Sequence, residues 1–145
     1  MLDTSASCQG ELIKKCVRRT YDILKNTDNF FNEVNIHLIQ CDASVRSDTV
    51  IRNDNDFEEF IKNGRLKGNG NTDLRPAFSY VDELINNKNF DNLKGLIYFT
   101  DGYGTFPEKA PDYDVLFAFL YEDNYRPKVP GWAMQVVMED ELNEY

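Results

Sequence analysis

Asp3-Thr4-Ser5-Ala6-Ser7, which begins at the third residue of the chain, puts a carboxylate and two hydroxyls on alternate residues. Two further oxygen donors lie in loop-like settings: Thr72, at the end of Gly68-Asn69-Gly70-Asn71-Thr72-Asp73, and Asp101, in Tyr98-Phe99-Thr100-Asp101-Gly102. Two carboxylates and three hydroxyls, without histidine or cysteine, suit a hard divalent cation such as Mg²⁺, Mn²⁺ or Ca²⁺ rather than Zn²⁺. Asp3, Ser5, Ser7, Thr72 and Asp101 are therefore the expected metal ligands, with room left in an octahedral shell for an outside group. Taken singly, each motif also has a plain structural reading. D-x-S-x-S and Thr72-Asp73 are good helix N-cap chemistry, and Thr-Asp-Gly is an ordinary turn after a strand.

The other candidates for chemistry are weaker. His37, the only histidine, falls in mid-strand and reads as structural. Asp42 falls in a hairpin turn, which the pattern assigns to the opposite end of the strands from the site. Cys8 and Cys16 read as small buried apolar groups. Tyr103, Phe106 and Pro107 follow Asp101 on a loop rimming the site, either as loop packing or as a contact surface.

The elements that must position these residues follow from periodicity. Positions Leu12, Ile13, Cys16, Val17, Thr20, Ile23 and Leu24 at helical spacing, with basic residues mostly on the other face, predict an amphipathic helix from Gly10 to Lys25. Val34 to Cys41 and Ser44 to Arg52 are β-rich runs joined by so short a link that they must form a hairpin. A short helix is expected from Asp54 to Asn63, with Asp54 or Asp56 near its N-cap. A glycine-rich loop follows, then a helix from Asp73 to about Asn86 with Pro76 in its first turn. Gly95 to Thr100 and Asp114 to Tyr121 are continuous apolar runs, the pattern of strands buried on both faces. Trp132 to Met138 reads as an edge strand. The fold class expected is α/β: a mostly parallel central sheet with one antiparallel hairpin at its edge and helices on both faces. Asp3 and Asp101 then share the carboxyl end of the sheet, where such folds bind ligands.

At 145 residues the chain reads as one domain. Only Met1 and Leu2 precede Asp3, so the expectation is a C-terminal fragment of a longer chain with its first strand truncated. A net charge of -9 argues against phosphate-backbone binding. Three cysteines without C-x-x-C spacing point to reduced thiols and a cytoplasmic location. No apolar run reaches membrane-spanning length.

Together, D-x-S-x-S, a threonine after a glycine-rich loop and Thr-Asp-Gly after an apolar strand resemble the metal-ion-dependent adhesion site (MIDAS) of von Willebrand factor A (VWA) domains, which have a Rossmann-like fold. Gly70-Asn71-Thr72-Asp73-Leu74-Arg75-Pro76-Ala77-Phe78 and the run from Tyr98 to Pro107 resemble more closely the VWA-like C-terminal domain of a bacterial family. Its N-terminal half is metallopeptidase-like, and it accompanies MoxR-type AAA+ ATPases. The resemblance implies that Ser5, Ser7 and Thr72 hold Mg²⁺ directly and Asp3 and Asp101 mostly through water. An acidic residue of a partner protein would fill the open position. That partner would be a MoxR-type AAA+ ATPase or its substrate, without nucleic acid or membrane. The expectation is a non-catalytic interaction module. The alternatives are a haloacid-dehalogenase-like phosphohydrolase with Asp3 as nucleophile, disfavoured by Ser5 where that family carries a second aspartate, and a scaffold with a vestigial site. Ala6 and Cys8 depart from the usual Gly and Met, which removes no ligand.

Overall fold

A computed structural model of the chain describes residues 1–4, 10–26, 35–66, 68, 73–120 and 128–138. Six strands form one sheet: β1 (Leu2–Asp3), β2 (Ile36–Cys41), β3 (Val45–Ile51), β4 (Leu96–Thr100), β5 (Val115–Leu120) and β6 (Met134–Met138). Their order is β3-β2-β1-β4-β5-β6. Every neighbouring pair is parallel except β2 with β3. The helices are α1 (Gly10–Lys25), α2 (Asp54–Asn63) and α3 (Arg75–Asn86).

Alternation along the strands sends side chains into two cores. Ile39, Tyr98, Phe117 and Phe119 meet Leu74, Ala77, Phe78, Val81 and Leu84 of the α3 region on one face. On the other, Leu2, Leu38, Phe99, Ala118 and Leu120 meet Ile13, Cys16, Val17 and Tyr21 of α1 and Phe57 and Phe60 of α2. Helices thus cover both faces, and strands β4 and β5 are buried on both sides, as their unbroken apolar sequences require. β1 is only two residues long yet central: Leu2 pairs with Gln40 on one side and Phe99 on the other.

Several boundaries and burials differ from the sequence reading. The N-cap of α2 is Asn53, whose side-chain oxygen accepts from Asp56 N; Asp56 in turn accepts from Arg52 N, so the acid serves the residue before the cap. α3 opens at Arg75 rather than Asp73, because the Asp73 carboxylate holds Arg75 N at 3.0 Å and pairs with the Arg75 guanidinium. That pairing keeps the Asp73 carboxyl below its usual range. Ile23, Leu24 and Ile85 lie on the apolar stripes but are exposed. Tyr21 takes the buried place in α1, since the helix packs on α2 as well as on the sheet. Its ring stacks on Phe57 at 3.8 Å and its hydroxyl donates to Asp54. His37 is structural, as expected: Nδ1 lies 2.9 Å from Asp48 Oδ2, which also accepts from the Tyr80 hydroxyl at 2.6 Å. Cys16 is buried, while Cys8 lies outside the described residues.

Candidate functional site

The sheet order reverses between β1 and β4, and Asp3 and Asp101 stand at the carboxyl ends of those two strands. Such a switch point opens a crevice, because the connections leave it in opposite directions. Both aspartates are buried, at 0% and 6% exposure. The Thr100 hydroxyl joins the two strand ends: it donates to Asp3 Oδ2 at 2.5 Å and accepts from Gly102 N at 3.1 Å. Gly102 adopts a left-handed φ of 86°, which lets the chain turn at once after Asp101. Asp101 Oδ1 accepts from Tyr103 N at 3.0 Å. Its other oxygen, Oδ2, is buried with no hydrogen-bond partner among the described residues. An ionised oxygen left in that state is costly, and buried charges are ordinarily paired or placed on a cation.

Ser5, Ser7 and Thr72 lie outside the described residues, but the ends of the segments that carry them are placed. At the start of the glycine-rich loop, Gly64 O accepts from Lys14 Nζ and Arg65 O from Gln40 Nε2. Gly68 then rests on the chain just after Asp3. It has φ +142°, and a Cβ there would lie 2.4 Å from Thr4 Oγ1 and 2.7 Å from the Thr4 carbonyl oxygen. Leu74 N donates to Thr105 O at 3.1 Å. Gly68 thus lies beside the end of β1, and Leu74 beside the loop after β4.

The rim is divided in character. Phe106 packs edge-on against Phe117 at 5.1 Å and belongs to the core, whereas Tyr103 is 51% exposed. Asp42 needs correction. β1 and β2 are parallel, with Asp3 opposite Cys41, so Asp42 sits at the same end of the sheet as Asp3 and not at the opposite end. Its turn role is confirmed by Ser44 N, which donates to Asp42 Oδ1. Among the described residues, no three His, Cys, Asp or Glu side chains converge as a metal group. The expected set has only two acids, and its hydroxyls fall outside those residues. A shallow hollow lined by Lys15, Arg18, Arg19, Asp22, Ile23 and Asn26 lies along α1, on a helix face that holds none of the expected ligands.

A family model described as a VWA-like domain (DUF2201) matches residues 1–139. Neither the curated proteins nor the solved structures compared with the chain gave a match.

Proposed function

Because the chain belongs to the VWA-like domain family, we propose that it is a protein-interaction module whose docking point is a divalent cation held at the β1/β4 switch point. The observation that carries this reading is the buried Oδ2 of Asp101, left without a hydrogen-bond partner among the described residues, beside the buried Asp3. The water shell of a hard cation would satisfy it, and an all-oxygen donor set selects Mg²⁺ over zinc. Ser5, Ser7 and Thr72 would hold the ion directly, with Asp3 and Asp101 acting mostly through water. Thr100 and Tyr103 N fix the two carboxylates in place. The ion would supply one open position, to be taken by an acidic side chain of the partner. The resemblance of the runs around Thr72 and Asp101, rather than the site itself, supports a MoxR-type AAA+ ATPase or its substrate as that partner.

A role for Asp3 as a phosphoryl-accepting nucleophile is disfavoured. Its carboxylate is fully buried and one oxygen is held by Thr100, which leaves it poorly placed for in-line attack. Nor is any helix among the described residues long and apolar enough to cross a membrane.

Calorimetric and thermal titration with Mg²⁺ tests the proposal. At a hundredfold excess over Kd the ion should add about 2.7 kcal/mol to stability. Thr72→Ala should lose that gain while melting, metal-free, as the parent does. Equal stabilisation of the parent and the variant would remove Thr72 from the site; no stabilisation of the parent would refute the metal reading.

A further inference from the structure

Arg46 is the residue that the β2–β3 ladder skips: Gln40 pairs with Ser47 and Cys41 with Val45, and nothing lies opposite Arg46. A bulge bends its strand and re-aims a side chain, and bulges gather beside functional sites. Here the guanidinium is turned back toward the carboxyl end of β2, where Nε donates to Asp42 Oδ1 at 2.9 Å. The Asp42 side chain is 0% exposed and that of Arg46 is 47% exposed. A fully buried carboxylate is thus held by a cation at the rim, whose terminal amino groups have no partner among the described residues.

Position ties this pair to the crevice. Asp42 follows Cys41, the register partner of Asp3, and Thr4 N donates to Cys41 O at 2.7 Å. Asp42 and Asp3 thus stand at the carboxyl ends of neighbouring parallel strands.

Resting on the metal-site reading above, we propose that the Asp42–Arg46 pair regulates the charge of that site: Asp42 adds attraction for the cation, and Arg46 cancels most of it. With the pair intact, the two fields nearly offset each other in the crevice; with one member removed, the other acts alone. The bulge is the device that puts a cation there. An in-register β3 would lack the extra residue.

Titration of the full chain with Mn²⁺ alone, at low salt, tests this. Arg46→Gln should bind Mn²⁺ tighter by roughly three- to tenfold, and Asp42→Asn weaker by a similar factor. The double variant should return to within about twofold of the parent, since both charges are gone. Arg46→Lys should stay near the parent, and added salt should compress all the differences. Metal-free melting curves establish that each variant is folded. Affinity in Arg46→Gln equal to or below that of the parent overturns the proposal. If that variant does not fold, unchanged affinity in Asp42→Asn overturns it instead. A parent that takes up no Mn²⁺ fails earlier and differently, by removing the site itself.

Discussion

Asp101→Asn should abolish most metal binding while leaving the metal-free protein at least as stable as the parent. The two effects have opposite signs for one reason. In the parent, Asp101 Oδ2 is buried without a hydrogen-bond partner among the described residues, so the metal-free fold carries the desolvation cost of that group, about 1–3 kcal/mol. The amide removes the charge and keeps the oxygen that Tyr103 N requires, so the metal-free form loses nothing it was using. The cation, however, loses a carboxylate beside it, and loss of an outer-shell carboxylate typically weakens a metal site by about 10–100-fold. Melting curves with and without Mg²⁺ separate the two effects. The metal-induced shift should collapse in the variant while its metal-free transition stays level or rises. A purely structural aspartate would give the reverse: a lower metal-free transition and an unchanged shift.

Gly68→Ala should be the other large effect, acting through geometry rather than charge. The backbone there has φ +142°, a conformation that side chains with a Cβ rarely adopt. Its new methyl would lie 2.4 Å from Thr4 Oγ1 and 2.7 Å from the Thr4 carbonyl, and that carbonyl is main chain that cannot swing aside. The strain is of order 1–3 kcal/mol, and it is relieved by lifting the loop off β1. On the proposed site, in which Thr72 is a ligand, metal affinity should fall as well, by roughly tenfold or more for each 1.4 kcal/mol of loop strain that binding must repay. Global stability in urea should drop by less than the full strain, because the loop can move without opening either core. A variant with parental stability and affinity would mean that the loop does not rest on Thr4 when the site is formed.

Much of the architecture is legible in the chain because local and global signals agree. α1 and α2 span the very residues their apolar spacing predicts, and the strands at Leu96–Thr100 and Val115–Leu120 read as doubly buried because they are. Placing Asp3 and Asp101 at one end of the sheet needed only the rule that strands joined through helices run parallel. The same rule applied to Asp42 and was missed there: β1, α1 and β2 form such a unit, so the turn after β2 must lie at the site's end. The hairpin obscures this, because β3 runs back antiparallel to β2. Arg46 left no comparable signal. A bulge depends on the register of two strands, and nothing in Ser44-Val45-Arg46-Ser47 marks one residue as extra. Ile23 and Leu24 mislead for a tertiary reason. A stripe drawn for one packing partner shifts when the helix serves two, and Tyr21 with Phe57 takes the buried place.

The separation of Phe106 from Tyr103 is likewise tertiary. Both are aromatic residues on one loop, but Phe106 finds Phe117 beneath it and Tyr103 does not turn inward. The exposed ring therefore remains beside Asp101, on the surface that the proposed partner would meet.

The most direct test of the central claim is a crystal of the chain grown in saturating Mn²⁺, read at the manganese absorption edge. The account predicts one strong anomalous peak at the β1/β4 switch point, within direct reach of the Ser5, Ser7 and Thr72 hydroxyls and flanked by Asp3 and Asp101. No peak there, or a peak elsewhere on the molecule with the crevice empty, would contradict it.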